Sequence, residues 1–278
     1  MSRTPAEERL LDVVVATFDN SPDARMKEVL TNLIRHLHEF VSEVHLTRDE
    51  WFAGIKFLTA VGQKCDDVRQ EFILLSDTLG VSSLVEMINY RGTEGSTENT
   101  VLGPFYVPRS RHYENGASIV IDDDPGERLR IHGTVRSTDG KPIAGAEIDV
   151  WQTATHGGYA VQEPGKQDPD NLRGIFTSAA DGSYSFWTVR PVAYSIPDDG
   201  PVGQMLEANH RHPNRAAHTH LMVRAPGYHT VATHVFDADS AYLDSDAVFG
   251  VRDSLVVKFE PQADGTLAAP FDVVLTPI

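Results

Sequence analysis

The chain has 278 residues, 41% of them hydrophobic, with 24 Lys and Arg against 40 Asp and Glu for a formal net charge of -16. That length and composition exclude a disulfide-stapled mini-domain and a disordered or fibrous chain, and leave room for one or two globular domains with a proper core. The acidity argues against a nucleic-acid partner, and no window approaches the roughly 18 to 20 apolar residues of a membrane span.

The lone cysteine, Cys65, allows no intrachain disulfide and no zinc-thiolate cluster, which points to a reducing, cytoplasmic setting. The amino terminus carries Glu7, Glu8 and Asp12 and has no uninterrupted apolar stretch of signal-peptide length. Glycine and proline divide the chain: residues 1–100 hold 2 of the 16 prolines and 5 of the 21 glycines. The expected organisation is therefore α+β, with helices over 1–100 and an antiparallel β-sandwich over 101–278.

In chain order, apolar residues at Met26, Val29, Leu30, Leu33, Ile34, Leu37, Phe40, Val41 and Val44 paint one helical face over 26–44. Thr47 and Glu50 form a capping box opening a helix with Trp51, Phe52, Ile55, Leu58 and Val61. A third apolar segment, 72–75, runs to a break at Leu79-Gly80. Ser83 and Glu86 offer another capping box before Leu84, Val85 and Ile88. A polar linker follows near residue 92, and beyond residue 118 the period changes to two. Candidate strands are 128–137, 146–153, 183–190, 218–224, 230–236, 254–260 and 271–276, with Asp139-Gly140, Asp181-Gly182 and Asp264-Gly265 as turns. Seven short strands so punctuated predict a sandwich.

Six of the 12 histidines fall between His210 and His234. His-x-His occurs at His36/His38, His210/His212 and His218/His220, against about 0.5 such pairs expected by chance from composition. Residues two apart on a helix diverge, which sets aside the first pair, and the second sits among turn formers before Pro213. Only His218 and His220 occupy a predicted strand, where alternate side chains share a face and two imidazoles can converge on one ion. A carboxylate would complete a two-His-one-carboxylate triad for ferrous iron or zinc. The turn-borne Tyr159 and Tyr194 are alternative hard oxygen donors suited to a trivalent ion.

The runs TVLGPFYV, GTVRSTDGKPIAGAEIDVWQTATHGGYAVQ, LRGIFTSAADGSYSFWTVRPVAYSIPDDGP and HPNRAAHTHLMVRAPGYHTVATHVF occur in one order. They resemble the intradiol ring-cleaving dioxygenases of the catechol dioxygenase group, and the resemblance extends into EFILLSDTLGVSSLVEMIN in the helical third. Within the group, HVFDADSAYLDSDAVFGVRDSL and His234, where catechol-cleaving members carry glutamine, are most similar to the hydroxyquinol-cleaving branch.

The resemblance implies one ferric iron per subunit held by Tyr159, Tyr194, His218 and His220. Tyr194 would be the ligand displaced by substrate and Arg215 the stabiliser of charge developing on it. It implies a substrate pocket formed by Leu74, Asp77, Val101, Leu102, Gly103, Pro104, Phe105, Ile196, Pro197, Arg215, His234 and Val248. Asp77 would meet a third ring hydroxyl. O2 and a small aromatic diol or triol are the expected partners, in aromatic catabolism. The helical domain is expected to form a homodimer interface and a possible phospholipid tunnel. Catechol or a chlorocatechol is the alternative substrate. A non-catalytic module like the transthyretin-type sandwiches, suggested by GTVRSTDGKPIAGAEIDVW, and a zinc hydrolase built on His218 and His220 are the alternatives of other classes.

Overall fold

A computed structural model describes residues 4–90, 92–108 and 110–278. The chain forms two compact units, residues 1–60 and 61–278. Five helices open it: α1 (Pro5–Ala16), α2 (Ala24–Glu43), α3 (Arg48–Lys64), α4 (Glu71–Thr78) and α5 (Val81–Asn89). Thr47 caps α3 as its sequence predicts. Its hydroxyl accepts from the Glu50 amide at 3.3 Å, and the Glu50 carboxylate accepts from the Thr47 amide at 2.8 Å.

The second expected capping box does not form. Gly80, in the left-handed conformation at φ 74°, is the N-cap of α5. Ser83 therefore lies inside the helix, where its hydroxyl donates to the Phe249 carbonyl at 3.0 Å. α4 and α5, on the helical side of the expected boundary at residue 100, fall in the same compact unit as the sheets. No helix among the described residues is long and apolar enough to cross a membrane.

The strands are β1 (Arg128–Ser137), β2 (Glu147–Trp151), β3 (Arg173–Thr177), β4 (Ser183–Val189), β5 (Tyr194–Ser195), β6 (Asn214–Arg215), β7 (His218–Arg224), β8 (Val231–Asp237), β9 (Val256–Val257), β10 (Glu260–Pro261), β11 (Leu267–Pro270) and β12 (Val273–Leu275). A sixth helix, α6 (Pro201–Ala208), precedes β6. One five-stranded sheet is built on β1, flanked by β4, β11 and β12, and the other runs β3-β2-β7-β8-β9. Most pairings are antiparallel; β1 with β11 and β12, and β8 with β9, are parallel. The three Asp-Gly turns form as expected, with Gly140, Gly182 and Gly265 at φ 81°, 78° and 83°.

Strand alternation then decides which side chains build the core. Leu129, Ile131 and Val135 of β1 meet Ile148 and Val150 of β2 and Leu221 and Val223 of β7 in one buried cluster. Because successive side chains point to opposite faces, Asp149, Trp151, His218, His220 and Met222 project from the other side of the second sheet. That outer face carries the chemistry.

Candidate active site

Register aligns the outer face into a row. Trp151 of β2 pairs with Arg173 of β3 on one side and His220 of β7 on the other, and His220 pairs with His234 of β8. All four side chains are buried. Between the two β7 histidines, Thr219 faces inward, its hydroxyl donating to Gln152 Oε1 at 2.9 Å, so the strand cannot roll without breaking a buried hydrogen bond.

The two tyrosines reach this face from turns. A tight turn through Gly157 at φ 91° returns the chain from β2 to Tyr159. Tyr194 lies on the short β5–β6 ribbon directly opposite Arg215, and three residues later β7 begins at His218.

Four donor atoms meet there. Tyr159 Oη lies 3.1 Å from Tyr194 Oη and 3.0 Å from His220 Nε2, which lies 3.1 Å from His218 Nε2. A first-row metal bonding at about 2.0–2.2 Å places neighbouring ligand atoms roughly 2.9–3.4 Å apart, so these spacings fit an ion shared by the four. The His218 ring is oriented for it. Its Nδ1 donates to the Ala216 carbonyl at 2.6 Å, leaving the lone pair on Nε2, which accepts from Arg215 Nη1 at 3.1 Å. Burial, reinforced by neighbouring positive charge, holds both imidazoles well below their ordinary pKa and hence neutral, the form a metal requires. Burial and the adjacent Tyr194 push the Tyr159 phenol well above its usual value, so a phenolate there needs a cation to form. Two hard oxygens and two imidazoles, with no thiolate, suit iron.

Arg215 is itself buried, and its Nη1 lies 3.4 Å from Tyr194 Oη. Burial works against its charge, but Asp246, whose carboxylate accepts from Nε at 3.2 Å, together with Tyr194 and Tyr159 more than offsets that and raises the guanidinium pKa. Asp246 also accepts from the Gly250 amide at 2.8 Å, which fixes the counter-ion to the chain.

A cavity adjoins the donors, lined by Leu74, Asp77, Val101, Gly103, Pro104, Phe105, Tyr194, Ile196, Pro197, Arg215, His220 and Val248. Gly103, at φ 75°, turns the 101–105 segment so that a Cβ there would sit 3.5 Å from the His220 ring. Tyr194 lines this cavity and Tyr159 does not. Asp77 is 4% exposed, and burial raises its carboxyl above the ordinary carboxylate range. Leu102 is not part of the lining and packs against the Phe105–Tyr159 cluster instead. His234 is also outside it, packed edge-on against His220 with ring centroids 4.1 Å apart. His218, His220 and His234 form a buried group able to hold a metal. The other predicted histidine pairs stand elsewhere: His36 is exposed beside Glu39, and His212 meets Ser245.

Sequence reasoning did not single out Trp151, Arg173 or Asp246. The alternation of β2 puts Trp151 and Asp149 on one face, but only the register shows what that face meets. Nothing in the spacing of Asp246 marks it as the partner of Arg215.

A mostly antiparallel sandwich thus gathers two tyrosines, two histidines and a buried arginine into a group able to hold a metal, beside a small, largely apolar cavity. The catechol dioxygenase N-terminal family matches residues 23–97 and the dioxygenase family residues 101–277. The chain belongs to the intradiol ring-cleavage dioxygenases. It is 49% identical over 271 residues to the 6-chlorohydroxyquinol 1,2-dioxygenase of Cupriavidus pinatubonensis, covering 98% of each chain. It is 48% identical over 262 residues to the hydroxyquinol 1,2-dioxygenase of a Rhizobium species, covering 94% of this chain and 88% of the relative. A solved structure of hydroxyquinol 1,2-dioxygenase from Pseudomonas putida superposes with a TM-score of 0.92 at 47% identity, over 98% of this chain and 99% of that one.

Proposed function

We propose that the chain cleaves hydroxyquinol (1,2,4-trihydroxybenzene) between its two adjacent hydroxyl-bearing carbons. Both atoms of O2 enter the product, 3-hydroxy-cis,cis-muconate, which tautomerises to maleylacetate. The observation that carries this reading is the junction of the four-donor cluster with a cavity into which one acid, Asp77, is built. Relatives named for hydroxyquinol and chlorohydroxyquinol support the same substrate class.

In this reading Tyr159, Tyr194, His218 and His220 hold one ferric ion. When bound, the iron supplies Lewis-acid activation of the diol. Tyr194 alone of the two tyrosines faces the cavity, so it is the one that would yield its place to the incoming diol, its Oη accepting a proton. Arg215 Nη1, beside that oxygen and His218, stabilises negative charge as it develops, with Asp246 holding the guanidinium in place. Leu74, Ile196, Pro197 and Val248 exclude water from the ring, and the 101–105 segment with Leu102 behind it forms the wall. Asp77 meets the third ring hydroxyl, and His234 supports the pocket from behind His220.

Residues 1–100 serve as a helical dimerisation domain and 101–278 as the catalytic domain of a cytoplasmic homodimer. The exposed Val29, Leu33, Leu37 and Phe40 of α2 and Phe52 and Ile55 of α3 support a partner chain or a bound phospholipid there. Light scattering and mass spectrometry of extracted lipid test those two points.

The deciding experiment is an oxygen-electrode comparison of hydroxyquinol, catechol and 4-chlorocatechol, with iron analysis of the same preparation. One iron per chain, red colour and fastest uptake on hydroxyquinol are expected. Faster uptake on either catechol moves the assignment to that substrate. An iron-free protein that stays inert after ferric or ferrous reconstitution overturns it.

A further inference from the structure

The outer face of the first sheet carries a feature that the metal centre does not use. Even-numbered residues of β1 point away from the core, and they read Arg128, Arg130, His132, Thr134 and Arg136. Four basic side chains thus share one strand face in a chain of net charge -16.

Carboxylates meet these four poorly: the one ion pair among the described residues is Arg136 Nη2 with Asp272 Oδ2, at 3.9 Å. Arg128 stacks over the Trp187 ring, 5.2 Å from its centroid. Arg130 bonds only the Ser185 hydroxyl, at 3.3 Å. The His132 imidazole has no hydrogen-bond partner among the described residues, whereas the Ser183 hydroxyl sits against the Asp181 carboxylate and helps lower its pKa. Asp272, the one acid lining the same groove, has its Oδ1 accept from the Thr134 amide at 2.7 Å and hydroxyl at 2.8 Å, and its Oδ2 lies 3.9 Å from Arg136 Nη2.

Arg130, His132, Ser183 and Ser185 line a groove of about 520 Å³, together with Pro270, Asp272 and Asn115. The register explains the grouping, since His132 pairs with Ser185 of β4 and with Pro270 of β11. The groove offers the Arg130 guanidinium, held by one long hydrogen bond, the unpartnered His132 imidazole and an apolar wall, and the sandwich core separates it from the tyrosine–histidine cluster.

We propose that this groove binds a small dicarboxylate of the ring-opened product class, one carboxylate seated between the Arg130 guanidinium and the His132 imidazole N–H. A planar guanidinium and a neighbouring ring N–H match a carboxylate's two oxygens. A dicarboxylate is favoured over phosphate because Pro270 offers the carbon backbone an apolar surface. The identity of the ligand rests on the reaction proposed above; the groove's preference for a dianion does not.

The test is calorimetric titration of the iron-loaded protein with cis,cis-muconate under nitrogen and saturating hydroxyquinol. Substrate then fills the active site and cannot turn over without O2. One further equivalent is expected to bind per chain, with Kd on the order of 0.1–1 mM. The Arg130→Gln/His132→Gln variant is expected to weaken that binding at least tenfold while leaving kcat for hydroxyquinol unchanged. No binding with the active site filled, binding that the double variant retains, or inorganic phosphate competing as strongly as muconate each overturns the proposal. A protein that binds muconate in the groove but consumes no O2 would instead refute the catalytic reading alone.

Discussion

Trp151 lies flat against His220, with ring centroids 4.7 Å apart and planes 10° from parallel. The two proposed imidazole ligands are thus held by different means. His218 is fixed by a hydrogen bond from Nδ1, whereas His220 Nδ1 has no partner and its ring is clamped between Trp151 and the edge-on His234.

That difference predicts how each responds to mutation. Trp151→Phe keeps a flat aromatic face and is expected to hold iron within about threefold of the parent. Trp151→Leu keeps apolar bulk without the face and is expected to lose roughly 10- to 100-fold in metal affinity, the range for residues that orient a ligand. Competition with a chelator measures both. Equal affinities in the two variants would show that Trp151 fills space without orienting the ring.

The Arg215–Asp246 pair is almost wholly buried, with side chains 3% and 2% exposed. Removing one member of such a pair strands the other, at a cost of about 3–5 kcal/mol. Asp246→Ala is expected to lose that much stability in urea unfolding and to lower kcat, because the guanidinium is then free to leave Tyr194. Arg215→Lys keeps the charge but loses the fork-shaped contact, and should retain more stability than activity. Similar losses of both in the two variants would deny Arg215 a positioning requirement.

Asp77 is the one acid in the cavity lining. Asp77→Ala is expected to reduce kcat/KM about 10- to 100-fold for hydroxyquinol and about twofold for catechol, which has no third hydroxyl to lose. Steady-state rates on the two substrates decide it, and a uniform loss would assign Asp77 to structure.

The relation of sequence to structure differs from element to element. The Thr47 capping box and the Asp-Gly turns depend on a few adjacent residues, and they form where the pattern places them. β7 is also legible, because a strand at 218–224 is the only local structure that lets His218 and His220 share a face. β3 escaped notice for a physical reason: four of its five residues are buried, so the two-residue alternation that betrays a strand is absent. Ser83 misled because a Ser-x-x-Glu pattern is local, while the residue that starts α5 is the left-handed Gly80 before it. Tyr159, Tyr194, His218 and His220 are legible as single residues, and the structure brings their donor atoms together. The Trp151–His220–His234 row and the Asp246 counter-ion depend on register and on a distant loop, which no spacing encodes.

Asp149 provides a pH-dependent prediction on the same sheet face. Its carboxylate is 1% exposed and neither oxygen has a hydrogen-bond partner. Burial pushes its pKa from 3.8 to about 6, and the nearby Tyr106 and Arg224 offset this only in part. Between those two values the folded chain holds more of the proton than the unfolded chain, so this group makes stability fall as pH rises from about 4 to 6, with the loss fully present above 6. At about 1.4 kcal/mol per pKa unit the loss is roughly 3 kcal/mol. Asp149→Asn keeps the shape without the charge. Relative to the parent it is expected to gain about 1–3 kcal/mol at pH 7.5 and nothing at pH 4, measured by urea unfolding at both. Comparing variant with parent at each pH cancels the other titrating groups. A gain of the same size at both pH values would mean that packing, and not the buried charge, limits stability at this position.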